Sequence, residues 1–323
     1  MPVKSGWQKW GLLIVLGGWA LVSGNVRSTV AEDGLDGFLS GLEAKGVLVD
    51  RPAACAGAVA GILRTIDPEG VISNVAPSPW PDGMAGIPAP SGVQALELWP
   101  ENLAYIKVSA LEPGSGAELL GHFQSLKARS GLLFDLRGAR GQDLESACLL
   151  AGMLRRPQEP LFLVTDNRGV PLATNVAAGA FVPLPFLMIL IDEETSGAAE
   201  ALVSVFKGNP RVMLLGAVTR GDPSLRSWLT LPDGRSARLG TRKWKSLVDV
   251  SREKGGVTPD VVVAARSGTG NEGLSRTNLT GRVMSLKSDA DQDLMMRVAG
   301  DAVLQRATDI LLGLQAVGVY GRE

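Results

Sequence analysis

The sequence predicts an α/β fold with parallel strand pairings. Short apolar runs that suit buried strands alternate with helical patterns between Leu103 and Leu215. Turns rich in Gly and Asp separate them. The chain has 323 residues, 45% of them hydrophobic, so it can bury a substantial core. Such alternation argues for crossover connections and a parallel sheet.

The first residues read as an export signal spanning 1–31. Lys4 and Lys9 precede an apolar run of 13 residues from Trp10 to Val22, and small residues follow at Ser23-Gly24 and Val30-Ala31. The run is short for a spanning helix, which needs about 20 apolar residues. Its alternative reading is an uncleaved N-terminal anchor. No Cys lies near the cleavage region, which argues against a lipoprotein. The expected location is exported: periplasmic or extracytoplasmic, with membrane contact only through an uncleaved N-terminal segment.

Residues 32–70 form a helical segment with expected helices at 35–46 and 52–66. In the second, Ala56, Val59, Ala60, Leu63 and Ile66 recur at helical spacing. Asp67-Pro68 stops it, because Pro disfavours helical geometry in the residue before it. Residues 71–99 are rich in Pro, Gly and Ser, including Pro77-Ser78-Pro79-Trp80-Pro81, and read as a linker. The core is expected over 100–323. Its strands fall at 103–109, 131–136, 161–164, 186–191 and 212–215, and its helices at 117–127, 144–155 and 198–207. A polar insertion at 264–295 lacks periodicity. The closing helix carries Val303, Leu304, Ala307, Ile310, Leu311 and Leu314 on one face.

Composition excludes some chemistry. A net charge of −1 leaves no electrostatic footprint for nucleic acid. The two cysteines, Cys55 and Cys148, have no Cys or His neighbours at metal-ligand spacing, so neither a zinc site nor any other metal or cofactor is expected. Both sit in Ala/Leu-rich helical patterns, where a free thiol is a small core residue; one disulfide is the alternative in an exported protein. His122 is the only histidine and has no Asp or Ser partner at an informative spacing, so its expected role is structural. The triplet Asn278-Leu279-Thr280 fits a glycosylation sequon, a pattern common by chance.

The most informative segment is Asp192-Glu193-Glu194-Thr195-Ser196-Gly197-Ala198-Ala199-Glu200. It follows the apolar run Phe186-Leu187-Met188-Ile189-Leu190-Ile191 and opens a helical pattern. A strand turning into a helix start is a place to mount a nucleophile, since the first turn offers free N–H groups.

This segment resembles the nucleophile turn of the C-terminal processing (tail-specific) serine peptidases, in which an apolar strand leads to Ser/Thr-Ala-Ser-Ala-Ser-Glu. Other landmarks follow in the family's order. Leu136-Arg137-Gly138-Ala139-Arg140-Gly141 resembles its Gly turn, Gly216-Ala217-Val218-Thr219-Arg220-Gly221-Asp222 its general-base segment, and Pro232-Asp233-Gly234 its hairpin. Gly256-Val257-Thr258-Pro259-Asp260 resembles the end of its core, and residues 57–68 the helix and Leu-Asp-Pro stop near its beginning. The resemblance implies a Clp-protease/crotonase-like core of ββα units preceded by a short helical segment. It also implies a PDZ domain after the first helices, but only about 30 residues stand in that place, so none is expected.

Carried over residue by residue, the resemblance assigns the nucleophile to Gly197, the base to Asp222, 25 residues later, and the supporting Gln to Arg226. None of the three carries the family's side chain. The resemblance places oxyanion-type backbone N–H groups at Gly141 and Ala198, with Gln142 replacing the family's next Gly. Asp135 and Arg137 follow the family's Asp-Leu-Arg strand and are expected to be structural. Ser196 is the only candidate displaced nucleophile. One residue of offset at a helix start turns its side chain by roughly 100°, and it would still need a base. Its other role is an N-cap of the helix that follows. Asp222 is expected to form a solvated pair with Arg220 or Arg226, and replacing Ser by Gly at 197 is expected to open space. The resulting expectation is an exported pseudo-peptidase that binds an extended polypeptide or an envelope protein, or acts as a scaffold. The alternatives are an active peptidase using Ser196 and a hydrolase with altered chemistry in the same cleft.

Overall fold

The computed structural model describes residues 29–73, 92–231, 234–248, 255–263 and 289–318. The N-terminal charges and apolar run, the Pro-rich 77–81, Asp233, the Asn278 sequon and most of the 264–295 insertion lie outside the described residues. The chain divides into two compact units, Met1–Ile66 and Asp67–Glu323.

The first unit is a helical hairpin of α1 (Thr29–Glu43) and α2 (Arg51–Ile66), as the 3.6-residue spacing predicts. Leu39 and Leu63 are its buried side chains. Arg51 pins the helices together by donating to Asp36, Ser40 and Glu43, each at 2.8 Å.

The second unit begins with β1 (Val71–Ser73), β2 (Val93–Trp99), β3 (Leu103–Val108), β4 (Ala110–Leu111) and α3 (Ser115–Leu126). It continues with β5 (Gly131–Asp135), β6 (Arg140–Gly141), α4 (Leu144–Ala151), β7 (Pro160–Asp166) and β8 (Pro171–Val176). Then come β9 (Phe186–Ile191), α5 (Gly197–Phe206), β10 (Val212–Gly216), β11 (Ser224–Thr230) and β12 (Ser236–Ser246). It closes with β13 (Val261–Val262), α6 (Asp289–Gly300) and α7 (Ala302–Ala316).

The central sheet runs in the order β13-β10-β9-β5-β3-β2, parallel except for the β2–β3 pair. Its inner strands β5 and β9 read as apolar runs because both faces are covered. Successive side chains alternate between two cores. Leu103, Tyr105, Leu133, Met188 and Leu190 pack with Val303, Leu304, Ala307 and Leu311 of α7. Ala104, Ile106, Leu132, Phe134 and Ile189 join the core shared with α3, α4 and α5.

The second sheet is antiparallel, ordered β1-β12-β7-β8, with β11 also pairing β12. Several expectations change here. Residues 161–164, expected among the parallel strands, form the middle of β7 in this second sheet. An apolar run signals burial but not which sheet it joins, and Phe162 is buried against Trp244, edge-to-face at 5.7 Å. The stretch 71–99, expected as linker, contains β1 and β2. β1 depends on a distant partner, β12, and β2 on the strand that follows it, β3, rather than on a periodicity of their own. The polar insertion ends earlier than expected, with α6 starting at Asp289.

The C-terminal helix is tied down by charge as well as by apolar packing. Asp135 is fully buried at the end of β5. Arg137 donates to both of its oxygens, at 2.9 and 2.6 Å, and to Asp301 at 2.6 Å. Asp301 caps α7, accepting from the N–H groups of Val303 and Leu304. The Tyr105 hydroxyl also donates to Asp135, at 2.8 Å. Arg137 thus joins the strand end to the α7 cap, a structural role. Arg137→Ala leaves a buried carboxylate without its counter-ion and should cost about 3–5 kcal/mol, measured by urea unfolding. Replacing both ions by Asp135→Asn/Arg137→Met should recover part of that loss.

Candidate functional site

The loops leaving β5, β9 and β10 emerge at the carboxyl ends of neighbouring parallel strands, where open α/β sheets form their crevices. The first two are stapled together. Gly138 N–H donates to Asp192 Oδ1 at 2.9 Å, and the Thr195 hydroxyl donates to the Leu136 carbonyl at 2.8 Å. Ser196 N–H donates to the Ala139 carbonyl at 2.9 Å. The strand Phe186–Ile191, the turn 138–141 and the helix start at Gly197 therefore meet in space.

Gly197 is the first residue of α5, with φ at 61°. A Cβ built on it would stand 2.1 Å from the carbonyl oxygen of Gly141 and 3.4 Å from Gln142 Nε2. The expectation that glycine opens space here is corrected: the Gly141 carbonyl occupies the place a side chain would need. Left-handed geometry and this contact each demand glycine. Ala198, beside it in the first turn, is fully buried.

Ser196 is 9% exposed and has extended backbone, φ −150° and ψ 170°. It stands at the N-cap position, yet its side chain makes no capping hydrogen bond, so the expected cap is not formed. No Lys, His or carboxylate bonds to its hydroxyl among the described residues.

The third loop docks on α5 through Glu200, which is fully buried. Its Oε1 accepts from the Thr219 hydroxyl and from Gly221 N–H, both at 2.8 Å. Val257 N–H donates to the Thr219 hydroxyl at 2.7 Å. Glu200 and Thr219 fix the spacing between the turn at Gly197 and the segment 216–222 by buried bonds.

Asp222 and Arg226 face each other. Arg226 Nη1 lies 2.8 Å from Asp222 Oδ2, with side-chain exposures of 10% and 22%. The pair is half-buried, not solvated, and the partner is Arg226 rather than Arg220. Arg226 also grips Asp67 with Nε and Nη2, both at 3.0 Å, and its backbone N–H donates to Gln142 Oε1 at 2.7 Å. Arg220 pairs instead with Glu194 at 3.2 Å and with Glu69, and Arg140 pairs with Glu194. An alternating chain of charges therefore crosses the loops: Arg140, Glu194, Arg220, Glu69, Arg226 and its two aspartates. Glu69 carried no signal in the sequence, and the partners of Asp67, Glu194 and Gln142 were not legible there, because they lie up to 173 positions away.

The electrostatics oppose base chemistry. Burial pushes the Asp222 carboxyl up, but hydrogen bonds from Ser224 and Arg226 outweigh it and hold it below the ordinary carboxylate value. Burial likewise raises Asp67, and the bonds from Arg226, Gly240 and Glu69 overcome that and lower it. A general base works best with a pKa near the working pH, so a carboxylate held low beside an arginine is a poor proton acceptor.

His122 lies 3.8 Å from Glu118, one turn away on α3. Cys55 and Cys148 are both free thiols, and burial pushes Cys148 up to about 12. Among the described residues no group of three or more His, Cys, Asp or Glu could hold a metal ion, and no helix is long and apolar enough to cross a membrane.

Residues 102–263, half of the chain, match the model for peptidase family S41. The chain belongs to peptidase family S41. Its mixed sheets and flanking helices are the family's Clp-protease/crotonase-like fold. Among similar proteins is a carboxyl-terminal-processing protease of Picosynechococcus sp., 25% identical over 165 residues, covering 50% of this chain and 39% of that protein. A chloroplastic C-terminal processing peptidase of Tetradesmus obliquus is 24% identical over 177 residues, covering 53% and 38%. Among solved structures, a photosystem II D1 C-terminal processing protease superposes with a TM-score of 0.43 at 25% identity, covering 54% of this chain and 46% of that one. The chain spans less than two fifths of the length of these two curated relatives.

The Arg226 cluster predicts a pH dependence with a definite sign. Asp67 and Asp222 are lowered in the folded state. Their stabilisation is present above the unfolded carboxylate value of about 3.9 and is lost as pH falls through the depressed folded values. Arg226→Gln should lower stability at pH 7 and flatten the fall of stability below about pH 4. Urea titrations at several pH values measure both effects.

Proposed function

We propose that this family S41 protein is an exported pseudo-peptidase whose remnant cleft binds extended polypeptide without cleaving it. The observation that carries the loss of chemistry is the contact at Gly197. Peptide hydrolysis through a covalent intermediate needs a nucleophile, a base and donors for the oxyanion. Position 197 has no hydroxyl, and the Gly141 carbonyl oxygen fills the space for one. The negative end of that carbonyl faces the helix start, where an oxyanion would need N–H donors. The base position is spent on an ion pair with Arg226.

Polypeptide is the proposed occupant because the relatives are named as processing proteases of carboxyl termini. Main-chain edges and helix starts can hold an extended chain with no chemistry. The Lys4/Lys9 charges and the apolar run after them support export. Catalysis through Ser196 lacks a base in this arrangement and is the reading the test is built to detect.

Purified protein should neither cleave unfolded casein nor label with a fluorophosphonate probe. Gly197→Ser should remain inert and lose about 2–4 kcal/mol of stability, since it adds left-handed strain to an overlap with backbone. Robust cleavage that vanishes in Ser196→Ala would overturn the reading.

A further inference from the structure

We propose that residues 67–73 are an intrasteric strap that holds this cleft shut. The strap offers what an extended polypeptide ligand would offer, a short strand and carboxylates, and it uses the groups such a ligand would need. Its choice of displaced ligand rests on the polypeptide-binding reading above; the closure itself does not.

The strand part is β1, which pairs antiparallel with β12 through Val71↔Arg238, Ile72↔Ala237 and Ser73↔Ser236. On the same edge of β12, pairing with β7 begins only at Arg242. Asp67 bridges part of the gap: its Oδ2 accepts the Gly240 N–H at 2.8 Å. The fit is close. A Cβ on Gly240 would lie 3.3 Å from Asp67 Oδ2, and one on Gly70 would lie 2.8 Å from the Leu239 side chain.

The carboxylate part reaches Gly197 by two arms. Asp67 holds Arg226, whose N–H holds Gln142 Oε1, and the amide nitrogen of Gln142 lies beside Gly197. Glu69 holds Arg220, whose N–H donates to the Thr195 carbonyl at 3.0 Å, two residues before Gly197. Both arginines that could receive a ligand carboxylate are thereby occupied by the chain's own acids.

Beyond Asp67, whose bonds to Arg226 and Gly240 are buried, the strap is weakly held. It has three paired residues, Val71 is 52% exposed, and the Glu69–Arg220 pair is partly exposed at 37% and 31%. Exposed pairs contribute about 0–1 kcal/mol each, and short edge segments with few buried contacts open locally before the core does.

The test uses the full chain with Glu69→Gln/Ile72→Pro, which removes one arm and breaks the β1 pairing, and Glu69→Gln alone as a variant with no cost to the core. Hydrogen exchange should accelerate at 70–73 in the double variant and, with it, by about tenfold at 192–200 and 138–145. Glu69→Gln alone should give a smaller acceleration at the same segments. Free exchange at 70–73 with parental rates at 192–200 would overturn the proposal. So would unchanged protection at 70–73, because a strap that survives loss of its pairing is not releasable. A fluorescein-labelled unstructured decapeptide with a free carboxylate should bind the double variant at least about tenfold tighter than the parent, a gain of about 1.4 kcal/mol. Equal binding to both overturns the strap. Binding to neither, with the loops opened, overturns the polypeptide reading and leaves the closure standing.

Discussion

Arg226 is the interaction on which the rest of the site depends. Its guanidinium stands between Asp67 and Asp222, and its backbone N–H fixes Gln142. A cation this enclosed must be paired, because burying an unpaired charge costs far more than any local contact returns. Once Arg226 sits there, Asp222 becomes its counter-ion, Asp67 is drawn to the same point, and the turn around Gln142 is held against Gly197. Positions 67, 142, 222 and 226 are thereby linked into one polar framework beside Gly197.

The Gly141–Gly197 contact is the second constraint and follows from the same packing. Two turns leaving adjacent parallel strands are stapled by Asp192 and Thr195, so the backbones come close enough to exclude a side chain. Function and stability draw on the same atoms here. Bonds that keep the family's spacing, such as Glu200 to Thr219 and Gly221, persist because they hold α5 to the loop after β10.

The two sheets divide the labour. The parallel sheet, buried on both faces, positions the three loops. The antiparallel sheet gathers β1, β7 and β11 around the long strand β12 and brings residues from distant parts of the chain to the loop after β10. Asp67 and Arg226 meet only because β1 and β11 both pair with β12.

By itself, the sequence determined the features that depend on local pattern. The strands 103–108, 131–135 and 186–191 were legible because burial on both faces leaves unbroken apolar runs, and α2 and α7 because one face repeats every 3.6 residues. The expectation that Gly197 and Asp222 stand where the family carries its Ser and Lys rests on motif order and spacing, which can be read in one dimension. Only the tertiary structure decided that Gly197 is closed rather than open, that Asp222 serves Arg226, and that residues 71–73 and 93–99 are strands. Each of these depends on a partner brought close by folding: the Gly141 carbonyl, the Arg226 guanidinium, and the edges of β12 and β3. A backbone carbonyl has no letter in the sequence, and the pairing of residues 71–73 with a strand far along the chain leaves no period in it.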